Sequence, residues 1–144
     1  MKKFKFRLER VLHYRNLVKD EKRKELAKRN LEFREAQEVL SRLEQEFAAN
    51  GIEDGAIVTI HDLQLRGMYA ERLKEEMVQQ RLHILQCEER VEAALQEYLE
   101  AAKDSGALEK LRERKKEQYQ EYVAKEEEKF LDELTTQKGN TVSK

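Results

Sequence analysis

The chain has 144 residues, room for one domain, with no proline or tryptophan, 41% charged and 39% apolar residues, and a formal net charge of -1. Lys plus Arg number 29 and Asp plus Glu 30, so the charges can pair along a helix rather than repel; this argues against a disordered polyelectrolyte and against general phosphate-backbone binding, which needs a sustained basic surface. The single cysteine, Cys87, permits no internal disulfide and fits a reducing compartment, and no stretch approaches the roughly 20 apolar residues that span a bilayer.

The chain opens with Lys2 and Lys3, then interleaves Phe4, Phe6 and Leu8 with Lys5, Arg7 and Arg10. It lacks the continuous apolar centre of a secretory signal. The stretch is read as the start of a first helix over about residues 4–49. Stepping by seven from Leu12 reaches Lys19, Leu26, Phe33, Leu40 and Phe47; the companion series is Leu8, Arg15, Lys22, Arg29, Ala36 and Leu43. This is a heptad seam, apolar at both ends and polar in its middle, where long aliphatic stems can cover a partner helix.

The seam stops at a loop over residues 50–60. Asn50 and Gly51 suit a helix C-cap with glycine in the left-handed conformation, and Gly55 adds a second break. Thr59 to Asp62 reads as a capping box that starts the second helix, over about residues 61–134.

The second helix carries its own seam. Met77, Ile84, Val91 and Tyr98 form one series, and Leu73, Gln80, Cys87, Ala94, Ala101 and Leu108 the other; it continues through Arg112 and Lys115 to Tyr119 and Tyr122. Ser105-Gly106 could bend this helix. After Thr135 the pattern is lost, and residues 136–144 are expected to be a disordered tail. The expectation is therefore all-α: a long antiparallel two-helix coiled-coil hairpin with a longer second helix, forming one domain over residues 1–135 and a monomer. At about 1.5 Å per residue the helices would run roughly 65–70 Å and 110 Å. With the bend at Gly51–Gly55, Phe4 falls opposite Ala107, and Leu108 to Leu134 lacks a partner in its own chain.

Candidates for chemistry are few. His83 and Cys87 can share a helix face, but a zinc site needs more ligands, and Cys87 lies on the seam where a small buried hydrophobe belongs. No glycine-rich phosphate loop occurs. No catalytic residue, metal site or cofactor is expected. A basic run, Lys110, Arg112, Arg114, Lys115 and Lys116, lies in the hairpin near the basic N-terminus. It reads either as a solvated helix face or as an electrostatic dock for an acidic partner. Phe4, Phe6 and Tyr119 favour docking, and Glu9, Glu109, Glu113 and Glu117 interrupt the patch enough to disfavour nucleic acid.

Three segments carry a family resemblance. FKFRLERVLHYRNLVKDEKRKELA resembles the opening of FliJ proteins, IHDLQLRGMYAERL is similar to their segment after the loop, and ALEKLRERKKEQYQEY resembles their late basic run. The match spans roughly Met1 to Leu134. The resemblance implies a soluble, non-enzymatic component of the flagellar type III export apparatus, cytoplasmic and peripheral to the inner face of the cell membrane. It implies a coiled-coil stalk that inserts into the ring of the export ATPase FliI, meets the ATPase regulator FliH, contacts the export gate FlhA and escorts export chaperones. ATPase docking would fall to Phe4, Phe6, Arg7, Arg10, Arg112, Arg114, Lys115, Lys116 and Tyr119. Gate contact would fall to Leu43, Phe47, Tyr69 and Leu73, although only two aromatics occur there. A generic coiled-coil scaffold or dimeric adaptor, and the equivalent stalk of a virulence secretion system, keep the fold and change the role; an enzyme is a remote third reading.

Overall fold

The computed structural model describes residues 3–142; Lys2 of the basic N-terminus and residues 143 and 144 of the expected tail lie outside the described residues. The fold is an all-α helical hairpin of α1, Glu9–Ala49, and α2, Ile60–Val142, with no strand among the described residues. Contacts group the chain into two units: a loop unit, Asp20–Glu100, and a terminal unit of Met1–Lys19 with Ala101–Lys144.

In the loop unit the two seams meet as their heptads require. Ala36, Leu73, Cys87 and Ala94 are buried, and Leu26, Phe33, Leu40, Leu43, Met77, Ile84, Val91 and Tyr98 are half-buried around them. Small residues at the centre let the helices approach, while larger ones fill the flanks. Burying a leucine as fully as Leu73 contributes about 1.5–3 kcal/mol. The polar seam positions find partners of their own. Gln80 Nε2 donates to the Ala36 carbonyl at 2.8 Å, Lys22 Nζ meets Glu97 at 3.1 Å, and Arg29 pairs along its own helix with Glu25 and Glu32.

The turn of the loop unit departs from the sequence reading at one glycine. Gly51 closes α1 with a tight bond from its N–H to the Ala48 carbonyl at 3.3 Å, and it is Gly55 that takes the positive φ, 84°. Asn50 acts across the turn instead: its Nδ2 donates to the Arg66 carbonyl at 2.9 Å, satisfying polar groups where the chain reverses. Thr59 caps α2 as expected, its Oγ1 accepting the Asp62 N–H at 3.1 Å.

In the terminal unit residues 3–8 are not helical, contrary to the expected start near residue 4. The reason is visible in their spacing. Phe4 and Phe6 are half-buried while Lys3 and Lys5 are exposed, the two-residue period of an extended segment rather than the 3.6 of a helix, and a turn at Arg7 and Leu8, closed by the Glu9 N–H on the Phe6 carbonyl at 3.2 Å, leads into α1. An extended arm advances about 3.3 Å per residue against 1.5 Å in a helix, so it reaches further along α2. Phe4 meets Tyr119 with ring centroids 5.7 Å apart, not Ala107. Among the described residues, contact between the arm and α2 thus reaches Tyr119 and does not stop near Ala107.

Ser105 and Gly106 do not interrupt α2. Ser105 is 0% exposed and stands on the seam, seven residues after Tyr98, in the same unit as the buried Leu12 and Ala101. Its hydroxyl is hydrogen-bonded to the Asn16 side chain, so the buried polar group is satisfied. Beyond Leu134 the helix also continues, through the residues read as tail, to Val142. The heptad pattern is lost there, but no proline intervenes and one glycine, Gly139, costs a helix only about 1 kcal/mol against alanine.

Candidate partner-docking surface

The terminal unit brings the N-terminal arm against the basic run of α2, so residues from opposite parts of the sequence form one surface. The arm and α2 enclose an open groove of about 530 Å³, lined by Phe4, Lys5, Phe6, Arg7 and Leu8 on one side and Leu111, Lys115 and Tyr119 on the other. Its floor is apolar and aromatic and its rim is cationic. Such a groove suits an amphipathic segment that brings an apolar anchor and negative charge.

The expected docking residues separate into three kinds. Phe4, Phe6 and Tyr119 are half-buried and build the groove. Arg7, Arg10, Arg114, Lys115 and Lys116 are exposed, and among the described residues they form no ion pair. Arg112 differs: its Nε is 3.0 Å from Glu9 Oε2, an exposed ion pair that links α2 to the first turn of α1. Arg15 and Asp104, 3.4 Å apart, make a similar tie in the same unit. Lys5 and Leu111 line the groove but were not singled out by the sequence reading. The alternation through residues 4–8, taken as an extended arm, would have pointed to them.

The residues expected at the gate contact lie in the loop unit and are less uniform. Leu73 is 2% exposed, part of the helix–helix core, and has no surface to offer a partner. Leu43 is half-buried. Phe47 and Tyr69 are exposed but engaged locally: Lys74 Nζ stands 6.0 Å from the Phe47 ring centroid, and the Tyr69 hydroxyl donates to Glu46 Oε2 at 3.1 Å. That hydrogen bond raises the Tyr69 pKa above its ordinary value, because the donated proton is held by a carboxylate.

Cys87 is buried in the loop unit, with His83 Nε2 3.6 Å from its sulfur. Among the described residues no group of three or more His, Cys, Asp or Glu is arranged to hold a metal ion, and no helix is long and apolar enough to cross a membrane.

The family model described as Flagellar FliJ protein matches residues 4–142. No curated protein and no solved structure matches the chain.

Proposed function

From the membership of this chain in the FliJ family of flagellar export proteins, we propose that it acts as the coiled-coil stalk of the export apparatus, docking through its terminal unit on the export ATPase FliI. The observation that carries this reading is the composite groove, in which the arm and the basic run of α2 join an aromatic floor to a rim of cations, Lys5, Arg7 and Lys115. The ATPase ring would supply acidic residues and apolar anchors. Phe4, Phe6 and Tyr119 hold the arm in place, and Arg7, Arg10, Arg114, Lys115 and Lys116 meet the ring. Arg112 maintains the surface through Glu9 rather than touching the partner.

The stalk would stimulate ATP hydrolysis by favouring ring assembly, meet the regulator FliH there, and work as a monomer at the cytoplasmic face of the membrane. The loop unit would turn toward the export gate FlhA, with Phe47 and Tyr69 as its exposed aromatics and Leu43 at their edge, and the chain would escort export chaperones.

The test is charge reversal at Arg114, Lys115 and Lys116 to glutamate. Binding to the ATPase and stimulation of hydrolysis should both fall, with helicity unchanged because these side chains are exposed. Binding by the unaltered chain should weaken with added salt, since exposed charge attraction is screened over roughly 8–10 Å at physiological ionic strength. Reversal of Arg72 and Lys74 in the loop unit should spare stimulation. Stimulation lost on the loop-unit reversal and kept on the terminal-unit reversal would mean that the other unit docks.

A further inference from the structure

Past Tyr119, α2 carries an apolar stripe whose two aromatics stand exposed and whose Val123 is half-buried. Tyr122 and Phe130 are 60% and 61% exposed, and Val123 and Leu134 fall on the same helix face by their spacing. Charge along this segment changes sign in short blocks: Arg114, Lys115 and Lys116 lie between Glu113 and Glu117 before the stripe, and Glu126, Glu127 and Glu128 lie between Lys125 and Lys129 within it. Of the glutamates only Glu126 has an ion pair among the described residues, with Lys129 at 3.8 Å.

We infer that a second copy of this chain covers the stripe, its α2 running antiparallel to the first and related to it by a two-fold axis at Glu121, beside Tyr122. The charge order decides the direction. In a parallel pair each residue meets its own counterpart, so Lys115 and Lys116 would stack on lysines and Glu126 to Glu128 on glutamates. In the antiparallel pair with its axis at Glu121, Lys115 falls opposite Glu127, Lys116 opposite Glu126, Glu117 opposite Lys125 and Glu113 opposite Lys129, and symmetry makes each contact twice. Tyr122 then packs beside its mate, and Glu126 to Phe130 of the second copy come level with the groove wall formed by Leu111, Lys115 and Tyr119. The incoming segment has the chemistry that groove selects, an apolar anchor with acidic flanks. The expectation of a monomer came from seams that satisfy each other, and the stripe beyond Tyr119 is outside those seams. Self-association engages the same lysines that the proposed ATPase dock uses, so the two contacts exclude one another.

Sedimentation of the full chain alone, over a range of concentrations and at low and high salt, tests the inference without involving the ATPase. A reversible dimer that salt weakens is expected. Lys115→Glu with Lys116→Glu should weaken it about tenfold or more, because exposed pairs are each modest but the symmetric contact counts them twice and repulsion replaces attraction. Glu126→Lys with Glu127→Lys should do the same, and all four substitutions together should restore it. Direction is read by cross-linking in a Cys87→Ala background. Tyr122→Cys should form a disulfide-linked dimer and Lys116→Cys should not. A chain that stays monomeric at high concentration and low salt overturns the inference. So does linkage through Lys116→Cys, which indicates a parallel pair, and so does failure of the fourfold swap to restore association.

Discussion

The loop unit and the terminal unit are built from the same two helices, yet they are held together differently. In the loop unit the buried positions are Ala36, Leu73, Cys87 and Ala94, flanked by large half-buried hydrophobes, and the chain reversal is fastened by Asn50 and Thr59. In the terminal unit the buried positions are Leu12, Ala101 and Ser105, and much of the joining is polar: Asn16 with Ser105, Arg15 with Asp104, and Glu9 with Arg112. The arm adds aromatic contact without adding helix. Apolar burial is non-directional and strong per side chain, whereas exposed ion pairs contribute only about 0–1 kcal/mol each. The loop unit is therefore the stability reserve, and the terminal unit keeps its charges and aromatics near the surface, where a partner can use them.

The comparison breaks most readily at Leu73. Leu73→Asp puts an unpaired charge where a 2% exposed leucine packs, and should destabilise the chain by about 3–5 kcal/mol. Thermal unfolding followed by circular dichroism should show a large fall in midpoint. Little change would mean that the loop unit does not carry the stability assigned to it.

Ser105 makes the corresponding cut in the terminal unit. Ser105→Leu forces a larger side chain into a fully buried seam position and removes the bond to Asn16, for an expected loss of about 1–3 kcal/mol. Hydrogen exchange should locate the loss in residues 3–19 and 101–119, with protection in the loop unit retained. Equal loss of protection in both would show that the two units unfold as one.

These two residues also show what the sequence could reveal. Leu73 lies on a clean heptad, so its burial was readable, but the same regularity cannot tell a core leucine from a contact leucine. The resemblance assigned Leu73 to the gate, and its packing against α1 removes it from that role. At Ser105-Gly106 the sequence leaves a bend open, because serine and glycine together weaken a helix locally. Tertiary packing overrides that weakness, since a small residue is what a close seam accepts. The arm was misread for a different reason: six residues of alternation were absorbed into a strong neighbouring helix pattern. The groove followed from the arm, so Lys5 and Leu111 went unnoticed with it. Arg112 was counted among the free cations because sequence gives charge but not the partner that neutralises it.

A smaller effect is expected at the turn. Thr59→Ala removes the side-chain acceptor for the Asp62 N–H and should lower stability by about 1 kcal/mol, the usual worth of an N-cap. Exchange should quicken in the first turn of α2 and leave the terminal unit unchanged. Substituting Asn50→Ala at the same turn should add a comparable loss from the bond to the Arg66 carbonyl.

The smallest expected effect separates the two units by pH. Tyr69, in the loop unit, donates its hydroxyl proton to Glu46, and that hydrogen bond raises its pKa above the ordinary value. A group whose pKa is raised on folding contributes stability that is fully present below the unfolded value and lost as pH rises through the folded value. The contribution should thus be intact at neutral pH and fade only above about pH 10, the ordinary tyrosine range. The difference in ultraviolet titration between the unaltered chain and Tyr69→Phe isolates this one phenol. Its midpoint should lie above that of a free tyrosine, and Glu46→Gln should bring it down by removing both the charged acceptor and its repulsion of the phenolate. Because the residue is exposed, the change in thermal midpoint should be slight. A Tyr69 midpoint at the free-tyrosine value, unmoved by Glu46→Gln, would mean that the hydroxyl is not held by Glu46 in solution, leaving Tyr69 open to a partner on the loop unit.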